Sequence, residues 1–114
     1  MRHLSIGSLL GVALLAGAQI SLAQNASVTI SSPMEGATLS AMAQNKLVYE
    51  VVPGPRGDHV HLYVDDKEVA VVRQLKGSHA LATLSPGPHS ICIKVVDKGH
   101  TPIGVEQCVK VSVN

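Results

Sequence analysis

The sequence contains no phenylalanine and no tryptophan, and only two tyrosines among its 114 residues. A core without large aromatic rings has to be built mainly from Val, Ile, Leu and Ala. Because a domain of this size buries a limited fraction of its surface, its margin of stability is thin. Such a domain gains from a covalent cross-link, and the chain has two cysteines, Cys92 and Cys108.

Motifs that identify enzymes are absent as well. The chain has no nucleophile elbow, no glycine-rich phosphate loop between a strand and a helix, and no Cys-x-x-Cys pair. Asp65, Asp66 and Glu68 crowd one predicted hairpin and are typical of turn chemistry and solvated charge, whereas paired catalytic carboxylates need a cleft between them. We therefore expect no enzymatic activity.

The N-terminal stretch differs in character from the rest of the chain. Arg2 and His3 precede an apolar run over residues 9–18, and small residues follow up to Ala23. This pattern predicts a secretory signal peptide over residues 1–23 and a domain over residues 24–114, in the periplasm or the extracellular space. The apolar run is shorter than the ~20 residues that a membrane span needs. An uncleaved membrane anchor is the alternative. The small residues at the positions that a signal peptidase recognises argue against it.

Excess positive charge is also missing from the predicted mature chain. Removal of Arg2 leaves eight of the nine Lys and Arg residues, against eight Asp and Glu. Nucleic-acid affinity depends on clustered cations that neutralise phosphates, so nucleic acid is not an expected partner. The same balance argues against a polybasic membrane surface, and we expect no stable membrane span after signal cleavage.

The mature region alternates apolar and polar residues repeatedly, with turn residues between the alternating segments. This period of two predicts strands, and no segment shows a sustained helical period. Seven strands in about 90 residues are typical of an all-β immunoglobulin-like sandwich. The predicted strands cover residues 26–31, 46–52, 58–64, 68–73, 78–84, 89–96 and 105–113, with a short return to the sheet at 37–39.

Several motifs carry a resemblance to bacterial Ig-like domains. Residues 32–38 (SPMEGAT) look like their opening, residues 61–69 (HLYVDDKEV) like their third strand and hairpin, and residues 84–89 (LSPGPH) like a later corner. The histidines at these places also resemble those of an uncharacterised family of small periplasmic Ig-like domains. The resemblance covers most of the mature chain and implies the fold, but a fold alone carries no chemistry.

The two cysteines lie at matching positions of the last predicted hairpin. If that hairpin is centred near His100, Cys92 and Cys108 each lie eight residues from the centre and face each other. We predict a disulfide within one sheet, with both side chains directed away from the core, which would fix the strand register. A redox-active or metal-binding thiol pair is the alternative.

Five histidines remain in the mature chain, and the Ig-like topology groups most of them. The third predicted strand starts at the end of the sandwich where the sixth finishes, and the fifth starts there too. His89 begins the sixth strand and belongs to the opposite end. The group expected at one end is His59, His61, His79, His100, Asp58 and Asp97.

His59 and His61 are two residues apart on a strand, so both leave the same face. Together with His100 or His79 they could hold one ion, and imidazole suits Cu(II), Zn and Ni. The alternative is that they only line the solvated face of a sheet. For His89 we expect a structural role at the corner before the sixth strand, bonded to the backbone of the turn.

Two functions follow from these observations. The first is an exported, non-catalytic module that binds an unknown protein or carbohydrate through its loops or an edge strand. The alternative is a periplasmic protein that binds Cu or Zn through His59, His61 and His100.

Overall fold

The computed structural model describes residues 25–114, so the predicted signal peptide, residues 1–23, lies outside the described residues. The described part is all-β, as expected, and contains no helix long and apolar enough to cross a membrane. Its strands are β1 (Ser27–Ser32), β2 (Thr38–Leu39), β3 (Lys46–Val52), β4 (His59–Val64), β5 (Lys67–Val72), β6 (Lys76–Ala80), β7 (Gly87–Val96) and β8 (Pro102–Val113).

The strands form two sheets that pack face to face. The three-stranded sheet has the order β1-β3-β6, and the five-stranded sheet has the order β2-β8-β7-β4-β5. All pairings are antiparallel except that of β2 with β8, which is parallel. The prediction of an immunoglobulin-like sandwich is therefore confirmed.

Alternating side chains from the two inner faces form the core, because successive residues of a strand point to opposite faces. Tyr49 is the aromatic member, and its hydroxyl donates a hydrogen bond to the Gln74 carbonyl at 2.7 Å. Burial of this polar group is thereby compensated. The other members are aliphatic: Leu47, Val51, Val60, Leu62, Leu81, Ile91, Ile93, Val95, Val109 and Val111.

The fifth predicted strand is displaced from its expected position at residues 78–84. The strand β6 begins at Lys76, opposite Glu50 of β3, and ends at Ala80. Leu81 and Leu84 are buried although they follow the strand, and Leu81 is a member of the core. Their apolar spacing imitates a strand, and the backbone N–H of Leu81 continues the ladder with β3 by one bond, to the carbonyl of Asn45.

The long hairpin of β7 and β8 carries the disulfide. Cys92 and Cys108 are directly opposed, with 4.0 Å between their Cα atoms, and they are joined as predicted. Both strands belong to the same sheet, so the bond pins register within that sheet. Because both thiols are consumed, the alternative of a thiol metal site does not apply to this oxidised form.

Candidate metal-binding site

His59 and His61 lie on the outer face of the five-stranded sheet, since Val60 and Leu62 between them point into the core. Both imidazoles are nevertheless buried, with 1% and 5% of their surface exposed. The alternative of a solvated sheet face is therefore wrong for both residues. Histidine is seldom this buried without bonded partners, so the question is what covers them.

The turn between β7 and β8 brings His100 to these two residues. Asp97 organises the turn, because one of its carboxylate oxygens accepts bonds from the backbone N–H groups of Gly99 and Thr101, at 2.9 and 3.0 Å. The backbone N–H of His100 bonds to the Asp97 carbonyl, and His100 itself has a positive φ of 67°. A non-glycine residue in this conformation is uncommon, and here it directs the imidazole of His100 toward His59 and His61.

The strand pairing shifts next to this turn. Lys94 opposes Glu106 and Val96 opposes Pro102, so three residues of β8 lie opposite Val95 alone. Such irregularities often occur beside functional sites, where they redirect a side chain. As a result, the loop between β7 and β8 is shorter than it would be in a regular hairpin centred on His100.

Three ring nitrogens meet at one point, and we call His59, His61 and His100 the histidine cluster. The Nδ1 atom of His100 lies 3.1 Å from Nε2 of His59 and 3.0 Å from Nε2 of His61. All three atoms lie within 4.8 Å of one another. The cluster contains each of the three residues that the sequence nominated as ligands.

Two carboxylates determine which nitrogens of the buried histidines carry protons. Asp58 lies 2.9 Å from Nδ1 of His59, and Glu68 lies 2.9 Å from Nδ1 of His61. A carboxylate only accepts hydrogen bonds, so Nδ1 of His59, which bonds to Asp58, carries hydrogen, and the carboxylate beside Nδ1 of His61 favours hydrogen on that atom as well. In the neutral rings, both Nε2 atoms therefore present lone pairs to His100.

The neutral cluster cannot satisfy all of its contacts by hydrogen bonding. His100 can place one proton on Nδ1 and donate it to one neighbour, which leaves the other contact as two facing lone pairs. A shared cation removes this conflict. Two imidazole nitrogens bound at about 2.0–2.1 Å to one ion, at angles of about 90–110°, lie about 2.8–3.4 Å apart, which includes both observed distances.

The remaining members of the expected group occupy different places. Asp58 supports His59, and it also lies 3.5 Å from a guanidinium nitrogen of Arg73. His79 does not join the histidine cluster. It lies opposite Leu47 in the other sheet and borders a cavity with Leu62 and Val64, because β6 begins two residues earlier than predicted and His79 is its fourth residue.

Glu68 and Arg73 are the partners that the sequence interpretation missed. Glu68 was assigned to turn chemistry, although a tight turn at Asp65 and Asp66 places it opposite Tyr63 on the outer face. Counting across this turn places Glu68 on the same outer face as His61, and this count was the signal in the sequence that could have identified it. The contact with His61 depends further on a register shift after Leu62, which sequence spacing does not reveal.

His89 lies apart from the histidine cluster, at the corner between Ser85 and β7. Its Nδ1 atom is 2.6 Å from an Asp65 carboxylate oxygen, and its Nε2 atom is 2.7 Å from the Ser85 carbonyl oxygen. Both partners are acceptors, so both ring nitrogens carry hydrogen and the imidazole is charged. The hydrogen bond to Asp65, reinforced by that to Ser85, raises the pKa of His89 above 6.5.

The corner should make stability depend on pH. Asp65 stays ionised because bonds from the Ser90 backbone N–H and from His89 lower its pKa. The raised pKa of His89 gives a contribution that is fully present below about pH 6.5 and is lost as the pH rises through the folded-state pKa. His89→Gln should cost about 1 kcal/mol at pH 6, after allowance for the solvent exposure of Asp65, and less at pH 9.

Urea unfolding of both proteins across this range measures the effect. The difference between them isolates His89, because the two proteins are identical at every other position. A cost that stays constant from pH 6 to pH 9 would contradict the assignment of a charged imidazole.

Comparison with known proteins finds no matching family model and no matching curated protein. Solved structures do match. Fibronectin(III)-like modules of Clostridium thermocellum CbhA share a TM-score of 0.64 at 16% identity, covering 76% of this chain and 96% of that chain.

Two further structures are similar over a smaller part of their own length. An engineered protein has a TM-score of 0.55 at 17% identity, covering 78% of this chain and 20% of that chain. The extracellular domain of BT4673 from B. thetaiotaomicron has a TM-score of 0.51 at 12% identity, covering 77% and 15%. At these identities the likeness establishes the fold alone: an immunoglobulin-like sandwich similar to fibronectin(III)-like modules, with a disulfide that is consistent with an exported protein.

Proposed function

We propose that this protein is an exported, non-catalytic domain that binds one divalent transition-metal ion, Cu(II) or Zn(II), through His59, His61 and His100. The observation that carries the proposal is the convergence of three imidazole nitrogens on one point. Imidazole is a favoured ligand of both ions. Resemblance to small periplasmic Ig-like domains with histidines at similar places supports an exported setting.

The surroundings of the cluster favour a metal over a purely structural hydrogen-bond network. A metal-binding histidine usually donates its second ring N–H to a carboxylate, which fixes the tautomer and makes the ligand nitrogen more basic. His59 has this arrangement through Asp58, and the Glu68 carboxylate lies 2.9 Å from the corresponding nitrogen of His61. A structural network would instead pair each lone pair with a donor, and this cluster cannot do so while its rings are neutral.

Thermal unfolding in the presence of metal tests the proposal. Cu(II) or Zn(II) at 100 times its dissociation constant should stabilise the metal-free protein by about 2.7 kcal/mol, because the ion binds the folded state. The melting temperature should therefore rise, and calorimetric titration should give one ion per chain. His100→Ala should remove both effects while leaving the fold intact, since His100 is exposed.

His79→Ala is the matched control. This substitution also removes one imidazole, but from the three-stranded sheet. The variant should therefore bind metal like the unchanged protein. If His100→Ala and His79→Ala bind equally well, or if neither ion shifts the unfolding of the unchanged protein, the proposed function is wrong.

A second function, binding of a protein or carbohydrate, is favoured by a different surface. A cavity of about 350 Å³ opens beside the edge strand β5, lined by Leu62, Val64 and Leu81 among others. Val69 borders this cavity and has 55% of its surface exposed. Exposed apolar side chains beside an unpaired strand edge can receive a partner. Absence of metal binding in the titration above would leave this second function in place.

A further inference from the structure

We propose that the metal-loaded histidine cluster keeps an open coordination position that takes a small monoanion from solution. This inference rests on the proposed metal-binding function and extends it to a second ligand. It follows from where the three donor atoms come from, from the angles they impose, and from the charge beside them.

The described part of the chain brings three donor atoms to this point. His59 and His61 form a buried floor on the outer face of the five-stranded sheet, and His100 lies exposed at its margin. The opposite sheet packs against the other face, so nothing in the sandwich core reaches this point. Within residues 25–114, the group of potential ligand atoms at this point contains these three members.

The distances also leave room for a further ligand. At bond lengths of about 2.0–2.1 Å, the separations of 3.0 and 3.1 Å correspond to angles of about 95° at the ion. Angles this close to 90° are smaller than those of a filled tetrahedron. Cu(II) prefers tetragonal surroundings and Zn(II) takes at least four ligands, so three imidazoles do not complete either ion.

The electrostatic setting favours an anion in the open position. Three neutral imidazoles do not reduce the charge of the ion, and the carboxylates of Asp58 and Glu68 lie at the far nitrogens of two rings. Lys94 lies directly opposite His61 on the same outer face. Its ammonium lies 4.4 Å from the centre of the Tyr63 ring, and Tyr63 is the next outward-facing residue of β4 after His61.

Azide titration of the Cu(II)-loaded protein tests the inference, with azide as the probe for a monoanion. A bound azide should give a saturable charge-transfer absorption band and a changed Cu(II) electron paramagnetic resonance spectrum. Lys94→Ala should still bind Cu(II) but should weaken azide binding about two- to fivefold, the size expected for one partly exposed charge. Lys76→Ala, a lysine of the other sheet, should leave azide binding unchanged.

The outcomes separate this inference from the proposed function. If Cu(II) binds at the histidine cluster and azide leaves both spectra unchanged, the open position is refuted and metal binding stands. If Cu(II) does not bind, both proposals fall. Azide signals that persist in His100→Ala would place the probe on copper bound elsewhere and would overturn the assignment. Equal azide affinity in Lys94→Ala and Lys76→Ala would overturn the role of Lys94.

Discussion

Replacement of both Cys92 and Cys108 by alanine is expected to lower the free energy of unfolding by about 3 kcal/mol. The two residues are separated by 16 positions, and closing a loop of that length removes conformational entropy from the unfolded chain. In a domain of this size the change corresponds to a fall of about 12–24 °C in melting temperature. Urea and thermal unfolding of the purified protein measure it.

The unchanged protein in reductant provides the control, since it keeps both sulfur atoms and lacks only the bond between them. Its stability should fall nearly as far as that of the double variant, and its intact mass should rise by two hydrogens. Equal unfolding midpoints with and without reductant, once the mass confirms reduction, would contradict a stabilising role for the bond.

The hairpin that carries this disulfide was largely predictable from sequence. Ile91, Ile93 and Val95 alternate with residues of the other face, which identifies the strand and its inner side. Symmetry of the two cysteines about His100 then predicts their pairing, because only directly opposed residues of an antiparallel pair approach closely enough. Both inferences depend on local periodicity, which sequence records well.

Burial of His59 and His61 was not predictable in the same way. Strand parity places both on the outer face, and outer faces of antiparallel sheets are commonly solvated. Their burial depends on the turn from Asp97 to Thr101 and on the positive φ of His100. The direction in which a loop folds does not follow from its length. The sequence therefore predicts that these histidines meet at one end of the sandwich, but it does not predict their burial.

At the fifth predicted strand, the apolar pattern of residues 78–84 identifies buried side chains correctly but places the strand wrongly. Leu81 and Leu84 are buried, as their apolar character predicts, yet they lie beyond the end of β6. Periodicity reports which side chains enter the core and not whether the backbone remains paired. The displaced strand carried His79 away from the cluster and left His100 as the third member.

Removal of charge from the two supporting carboxylates is expected to weaken metal binding without touching any ligand atom. Asp58→Asn and Glu68→Gln should each lower Cu(II) affinity about 10- to 100-fold, the usual effect of losing a partner that orients a metal-binding histidine. Both amides retain the shape of the carboxylate and still offer one oxygen acceptor. They lose the negative charge that lies beside Nδ1 of His59 or His61.

The measurement is a competition titration of Cu(II) against a chelator of known affinity, at one pH and one salt concentration. Glu50→Gln is the matched control, because it makes the same chemical change on an exposed glutamate of the other sheet. It should change the affinity little, since exposed charges at a distance are screened by salt.

The comparison of Glu68→Gln with Glu50→Gln separates a built site from a chance meeting of histidines. If long-range charge alone held the ion, both variants would weaken binding to a similar, small extent. If Glu68 acts through His61, its variant loses far more, and the loss persists at high salt because the carboxylate lies 2.9 Å from Nδ1 of a buried ring. The cluster would then be a metal site whose outer partners are part of its construction.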